Sequence, residues 1–468
     1  MSHLSQRYNL KIEIREFLKL AVPLASAQVA QSATGFADTI MMGRMGPEIL
    51  AAGGLASIIF ISIMTMASGV VMGISPLVAE AFGAGQKKRI EQVARQGLWL
   101  GLLVAIPLTI ATGNLETILA RSGQTETTVK LVRTYLDIIS WGLFPAIGFA
   151  ALRAIVAALS QARPVMVIMV LGTALNVTGN YILGFGKLGF PRLELAGLAL
   201  SSTLALWGMF LALAIYVFVH PKLKCYRIFQ KLHHIKIQVL KEVAWVGIPI
   251  GLFSGLEAGF FLVMMFWMGT LGTDALAAHQ VVFQTLTIVF MVPLGISYAT
   301  TVRVGQWLGQ RDRTGIQQAA WVSVSITALF MLGVSIAFLL FPQQIIGIYL
   351  DVQNPENAVV FEIALPLLTI AAIAQVLDGV QKAVYGSLQG LQDTQIPMLT
   401  NVLGYWGVGL SVGYGLAFYF KLGSIGLWLG QAVAVTVVAG LFIWRFQKLL
   451  SNLMFHHLND RDGRISKL

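Results

Sequence analysis

The chain has 468 residues, of which 56% are hydrophobic and only 11% are charged, and its mean hydropathy is +0.76. Soluble domains carry about 25% charged residues, so this composition argues strongly against a water-soluble fold. A net charge of +11 would suggest nucleic acid as a partner of a soluble protein. Here the basic residues follow a membrane topology instead, and we expect membrane lipid and no nucleic acid as partners.

Twelve apolar segments follow one another along the chain, separated mostly by short loops rich in Gly, Pro and charge. A spanning helix needs about 20 apolar residues, and stretches such as 275–302 and 422–444 exceed this length without any Asp, Glu, Lys or Arg. The N-terminus is polar through Glu16 and leads directly into an apolar segment, so we expect no cleaved signal peptide. The pattern predicts helices at 17–40, 51–79, 96–115, 134–157, 164–186, 196–219, 243–268, 276–302, 316–341, 361–386, 396–420 and 424–446.

The positions of Lys and Arg predict the orientation of these helices. The N-terminus, the loops after even-numbered helices and the C-terminal tail hold 22 of the 32 basic residues, the opposite loops hold 7, and 3 lie inside segments. Basic loops remain in the cytoplasm. We therefore expect a multi-pass protein of the cell inner membrane with both termini cytoplasmic, which requires an even number of helices.

An internal repeat divides the chain. MGRMGPEILAAG at 42–53 matches MGTLGTDALAAH at 268–279 in six of twelve positions, and the offset of 226 also places Pro23 on Pro249. Six helices in each half make this a parallel pseudo-two-fold repeat. We predict an all-α polytopic membrane protein with an N-terminal six-helix lobe (1–220), a basic cytoplasmic linker (221–242), a C-terminal six-helix lobe (243–450) and a cytoplasmic tail (451–468).

Three acidic residues lie inside predicted helices, where an ionisable side chain is costly and is a candidate for function. Asp38 is in the first helix, Glu257 is deep in the seventh, and Asp378 is in the tenth. Each has a simpler alternative. Asp38 could reach the lipid headgroups or Arg44, Glu257 could make a structural hydrogen bond, and Asp378 could form an ion pair with Lys382 one turn away.

Two asparagines in the fifth predicted helix, Asn176 and Asn180, are one turn apart, so their amides face the same way. Such a pair is a candidate binding element, although polar pairs of this kind often only hold helices together. Asp137 is four residues after Arg133 near a helix start, and we interpret it as an interfacial ion pair outside the site.

The sequence lacks the motifs for disulfide bonding, metal binding and ATP hydrolysis. The single cysteine, Cys225, allows no internal disulfide, and the pair His233 and His234 is too sparse for a metal site. No G-x-x-x-x-G-K-[ST] occurs, so the chain carries no P-loop of its own. We expect no cofactor.

The segments ADTIMMGRMG, LAAGGLAS, GAGQKKR, LNVTGNYILGFGKLGFPRL and YGSLQGLQDTQIP resemble the multidrug and toxic compound extrusion (MATE) family. The similarity is to its NorM-like branch and covers essentially the whole chain. It implies two six-helix lobes in a V and export of organic cations driven by entry of sodium or protons.

The resemblance also implies the residues of the site. In some relatives the second residue of the fifth-helix polar pair is an aspartate, whereas this chain has Asn180, and Ser202 stands where the family often has threonine. The implied set is Asp38, Asn176, Asn180 and Ser202 for substrate or protons in the N-terminal lobe, and Glu257 and Asp378 for the coupling cation in the C-terminal lobe.

We compare three functions with these observations. The first is a monomeric antiporter that exports lipophilic cationic drugs or toxins against Na⁺, with H⁺ as the other possible coupling ion. The second is a flippase for lipid-linked saccharides of the wider superfamily, which the mainly acidic buried charges disfavour. The third is a membrane enzyme, which would need a cluster of histidines and acids that this sequence does not offer, so we predict that the chain is not an enzyme.

Overall fold

The computed structural model describes residues 10–113, 126–350 and 354–461. Of the basic residues used to predict the orientation, Arg7, Arg121, Arg464 and Lys467 lie outside the described residues. The tail predicted at 451–468 is described only as far as Arg461 and is helical up to that residue.

The described residues form twelve long helical segments, one for each predicted span, and no strand occurs among them. Three short helical turns lie between them, at Pro221–Lys224, Pro342–Ile346 and Pro355–Asn357. The segments are α1 (Leu10–Met45), α2 (Pro47–Gly83), α3 (Lys87–Gly113), α4 (Glu126–Ala158), α5 (Ala162–Gly184), α6 (Glu194–Val219), α7 (Ile237–Thr270), α8 (Thr273–Gly309), α9 (Arg313–Leu340), α10 (Ala358–Gly390), α11 (395–419) and α12 (Gly423–Arg461). This arrangement confirms the predicted all-α polytopic fold.

Ten of these described segments are long and apolar enough to cross a bilayer. The remaining two are α1, which carries several charges in its first turns, and α11, in which π-helical stretches interrupt the α-helix. Some helices also begin or end beyond the predicted limits. For example, α1 is already helical at Leu10, before the predicted start at residue 17, because the polar end of a helix continues past the apolar part that hydropathy detects.

By its packing, the chain forms two compact units. The N-unit holds the described residues of Val22–Gly255, and the C-unit holds those of Met1–Ala21 and Leu256–Leu468. The first part of α1 therefore belongs to the C-unit and the first part of α7 belongs to the N-unit. The lobe boundaries that we drew from sequence position stay a prediction.

Within the N-unit, glycines let the start of α7 approach α2 closely. A methyl group on Gly73 would lie 2.6 Å from the Cα atom of Gly247, and one on Gly69 would lie 2.7 Å from the Cα atom of Gly251. Small residues of this kind allow membrane helices to pack backbone against backbone.

The basic linker before α7 is also bound within the N-unit. The indole nitrogen of Trp99 on α3 donates to the Leu232 carbonyl oxygen at 2.7 Å, and the Gln96 amide donates to the His234 carbonyl oxygen at 3.0 Å. Arg89 pairs with Glu242 at the start of α7. These bonds fix the start of α7 to α3.

Within the C-unit, the start of α1 is bound to the end of α8 by a largely buried carboxylate. Glu13 is 4% exposed and pairs with the Arg303 guanidinium, whose Nε donates to the Glu13 carboxylate at 2.9 Å. Trp307 Nε1 donates to the same carboxylate at 3.3 Å, and Arg303 also donates to Gln306. A charged network thus holds the N-terminal turns of α1 in the C-unit.

We expect Glu13→Gln to lower the free energy of unfolding by about 3 kcal/mol, the lower end for a broken buried ion pair. The Arg303 side chain is only 14% exposed and would lose its charged partner. The control is Glu16→Gln on the same helix, because Glu16 and Lys19 are 42% and 43% exposed and such pairs contribute about 0–1 kcal/mol. Denaturant unfolding in detergent would measure both, and equal effects would contradict the prediction.

Candidate functional site

A chain of hydrogen bonds in the N-unit joins all four residues predicted there. Asn180 Nδ2 donates to Asp38 Oδ1 at 2.5 Å and lies 3.2 Å from Asn176 Oδ1. Asn176 Nδ2 in turn donates to Ser202 Oγ at 2.9 Å. The structure therefore brings together side chains from α1, α5 and α6 that are far apart in sequence.

The four side chains joined by these hydrogen bonds differ in their exposure. Asn176 and Asn180 are 2% and 0% exposed, whereas Asp38 and Ser202 are half-buried. Asn180 Oδ1 has no hydrogen-bond partner among the described residues. The two buried amides therefore hold in place a carboxylate that is partly exposed and that a ligand can reach.

The local backbone of α5 is irregular where it carries Asn180. The α-helical part, which carries Asn176, ends at Gly179, and a π-helical stretch runs from Asn180 to Gly184. Such π-helical stretches occur frequently at functional sites. Ser201 of α6 packs against Gly179 and donates to the Asn176 carbonyl oxygen at 2.9 Å, so this part of α5 is held from a second side.

One neighbour of this site was not predicted from the sequence. Tyr135 on α4 is 3% exposed, lies within electrostatic range of Asp38, and has its hydroxyl 3.4 Å from Ser57 Oγ. A tyrosine in an apolar helix is common, so nothing in the sequence separates it from residues of the core.

In the C-unit, the predicted acid Glu257 forms an ion pair with a lysine from another helix. The Lys382 ammonium on α10 lies 2.6 Å and 2.7 Å from the two carboxylate oxygens of Glu257 on α7. The two side chains are 3% and 19% exposed. Sequence analysis placed Lys382 one turn from Asp378 but could not show that it reaches α7.

Asp378 lies one turn before Lys382 on α10 and within electrostatic range of both Lys382 and Glu257, so we include it in the same charged cluster. With both carboxylates ionised and the ammonium protonated, these three groups carry a net charge of −1. Carboxylate oxygens are ligands that hard cations prefer. The donor set therefore suits one monovalent cation, although Lys382 already contacts both oxygens of Glu257.

Helix α11 supports this cluster through a second irregular segment. A π-helical stretch, Val402–Gly409, carries Tyr405 and Trp406. Trp406 Nε1 donates to the Leu256 carbonyl oxygen at 3.0 Å, and the Tyr405 hydroxyl donates to Gln381 Oε1 at 2.9 Å. The two aromatic residues thus contact the immediate neighbours of Glu257 and Lys382 in sequence.

No group of three His, Cys, Asp or Glu side chains with the geometry of a metal site occurs within the ranges that the structure describes. His279 of α8 is 2% exposed and packs between Phe283 and Trp428, with ring centroids 5.7 Å and 5.6 Å away.

Ten bilayer-length helices among the described residues, two compact helical units and carboxylates inside the helices are the features of a polytopic membrane transporter. The chain belongs to the MatE family, whose model matches residues 23–182 and 249–415. The two matched blocks begin 226 residues apart, which is the offset of the internal repeat.

Relatives with curated names match almost the whole chain. A protein of Synechocystis sp. named "Probable multidrug resistance protein NorM" is 51% identical, over 96% of this chain and 98% of its own length. The "Multidrug resistance protein NorM" of Burkholderia vietnamiensis is 37% identical, over 93% of this chain and 94% of its own.

Solved structures share the fold. One is described as the outward-facing conformation of a multidrug resistance MATE family transporter of the MOP superfamily. It superposes with a TM-score of 0.84 at 23% identity, over 94% of this chain and 96% of that chain. A MOP superfamily transporter from Pyrococcus furiosus gives 0.85 at 23% identity, over 94% and 97%.

These comparisons confirm the family expected from the sequence motifs and the fold of twelve helices in two lobes. Because the family is one of transporters, they also confirm that the chain is not an enzyme.

Proposed function

We propose that the protein is a secondary-active multidrug efflux antiporter, which exports lipophilic organic cations against the inward movement of Na⁺, with H⁺ as the alternative coupling ion. The observation that carries this proposal is the placement of acids inside the helices: Asp38 on a buried amide base, and Glu257 with Asp378 in one charged cluster. The names of the relatives support the efflux of drugs.

The N-unit carboxylate suits a cationic cargo or a proton. Asp38 is half-buried in an apolar helix and is held by Asn180 at 2.5 Å, so it can offer its negative charge at a fixed position. A carboxylate that is removed from bulk water costs free energy when it is charged and unpaired. Binding a proton or a cation removes that cost. We assign Asp38, Asn176, Asn180 and Ser202 to cargo or proton binding.

The C-unit cluster suits the coupling ion. With both carboxylates ionised, the net charge of −1 is neutralised by one Na⁺ or one proton, and two ionised carboxylates in one cluster repel each other. We assign Glu257 and Asp378 to the coupling cation and favour sodium. Under the repeat, Glu257 aligns with Gln31 and Asp38 with Met264, so the two halves have diverged chemically.

The arrangement of basic residues supports a position in the cell inner membrane with both termini in the cytoplasm. The segment 220–236, between α6 and α7, is basic and exposes its charged side chains. Cytoplasmic loops carry an excess of Lys and Arg. We propose that the protein acts there as a monomer.

The test is efflux from proteoliposomes that contain the purified full-length chain. Ethidium movement would be followed under a sodium gradient alone and, separately, under a proton gradient alone. The antiporter proposal predicts accelerated efflux under one of them, and sodium coupling predicts it under the first. Ethidium efflux that neither gradient accelerates would refute the antiporter proposal.

The cargo class needs its own measurement. Competition between ethidium and a panel of cationic, neutral and anionic compounds should favour the cations. Preference for an anion, including a lipid-linked pyrophosphate saccharide, would instead support the flippase alternative.

A further inference from the structure

We infer that Lys382 limits the affinity of the C-unit cluster for a free cation: its ammonium group is a tethered cation that occupies Glu257 and must leave before a free cation can bind there. The inference rests on the proposed coupling role of Glu257 and Asp378, and it assigns a role to a residue outside that set.

The first argument is that Lys382 already occupies the carboxylate oxygens of Glu257. A sodium ion bound at Glu257 needs a carboxylate oxygen, and Lys382 Nζ lies 2.6 Å and 2.7 Å from the two oxygens of that carboxylate. An ammonium group and a sodium ion cannot both occupy this position. Binding of Na⁺ at Glu257 is therefore an exchange of one cation for another.

The second argument is charge. Without Lys382, the ionised pair of Glu257 and Asp378 would carry −2, and with it the cluster carries −1. The lysine thus weakens the attraction of the cluster for any added cation. Two unit charges about 6 Å apart at an effective dielectric constant of about 20 would change an affinity by about a hundred-fold, so a gain of at least about ten-fold is expected when the lysine charge is removed.

The third argument concerns where the ammonium goes when it leaves. Lys382 Nζ lies 5.2 Å from the centroid of the Phe290 ring and 6.0 Å from that of Tyr385. Aromatic faces attract ammonium groups. Both rings are close enough to attract the ammonium group within the C-unit after it leaves Glu257.

The backbone around Lys382 is fixed, so the exchange is a movement of the side chain. A methyl group on Gly386 would lie 3.0 Å from the carbonyl carbon of Ser297 on α8, and one on Gly390 would lie 2.7 Å from Val304 Cβ. Such close contacts hold α10 against α8. The flexible four-carbon stem of lysine can turn while the helix stays in place.

A purely structural ion pair is the competing explanation, because buried pairs often serve only packing or specificity. The two explanations differ in one measurable quantity. A structural pair that is removed changes the stability of the protein, whereas a competing cation that is removed raises the affinity for sodium.

The experiment measures equilibrium binding of radioactive sodium to the purified full-length chain in lipid nanodiscs, without any transport step. Lys382→Met and Lys382→Gln remove the charge, and the glutamine can still donate a hydrogen bond to Glu257 if the methionine variant fails to fold. Lys382→Arg retains the charge. Lys448→Met, at a lysine that lies 5.1 Å over the Trp444 ring on α12, removes one charge elsewhere.

We expect the neutral variants to bind sodium about ten-fold more tightly or better, and the arginine and Lys448 variants to bind it as the native protein does. Neutral variants that bind sodium no more tightly than the native protein would overturn the inference. If native efflux proves to be driven by protons alone, the sodium part of the proposed function fails, and a gain of sodium binding in the neutral variants still supports the role of Lys382.

Discussion

Replacement of Asp38 by asparagine is expected to reduce gradient-driven efflux to the level of protein-free liposomes. The substitution removes the negative charge that would bind a cationic cargo or a proton. It keeps an oxygen that can accept the 2.5 Å hydrogen bond from Asn180, so the helices should remain packed. Ethidium efflux from proteoliposomes measures the loss, and thermal unfolding in detergent checks that the variant is folded.

A matched control is available in the same unit. Asp137 is 51% exposed and lies 3.6 Å from Arg133 on α4, so Asp137→Asn removes an identical charge from a surface position. Its efflux should match that of the native protein. Efflux by Asp38→Asn at the native rate would remove Asp38 from the mechanism, and an equal loss in both variants would show that the effect is not specific to the site.

The twelve helices could be predicted because the bilayer allows few alternatives. Every backbone N–H and C=O in the hydrocarbon region must find a partner within the protein, so a long apolar segment has to be helical. The irregular parts could not be predicted in this way. The π-helical stretches at Asn180–Gly184 and Val402–Gly409 are as apolar as their surroundings and leave no trace in hydropathy.

Some residues of each candidate site could be predicted from the sequence. The cost of a polar group in lipid singled out Asp38, Asn176 and Glu257, and helical spacing showed which residues share a face. Spacing along one helix cannot show which other helix lies opposite. The contact between Lys382 and Glu257 joins α10 and α7 across 125 positions of sequence, so it required the three-dimensional structure.

The second large effect is expected at Glu257. Glu257→Gln should abolish the movement of cargo that a sodium gradient drives, because it removes a carboxylate from the proposed cation site. It should also lower the free energy of unfolding by about 3–5 kcal/mol, since Lys382 is only 3% exposed and loses the carboxylate that it contacts. Proteoliposome transport and denaturant unfolding measure the two effects separately.

A double variant separates stability from coupling. Adding Lys382→Met to Glu257→Gln removes both members of the ion pair, so it should restore most of the lost stability without restoring the response to sodium. Asp378→Asn should lose the response to sodium as well. Glu362→Gln, an exposed acid near the start of α10, should transport as the native protein does.

The outcomes distinguish three alternatives to the proposed sodium site at Glu257 and Asp378. If the native protein ignores a sodium gradient but responds to a pH step, the sodium assignment is wrong, and Glu257 and Asp378 act as a proton relay. If Glu257→Gln and Asp378→Asn both still respond to sodium, the cation binds elsewhere in the protein. If only the double variant with Lys382→Met regains the response, the defect of Glu257→Gln came from the unpaired ammonium, and Asp378 alone suffices to bind the ion.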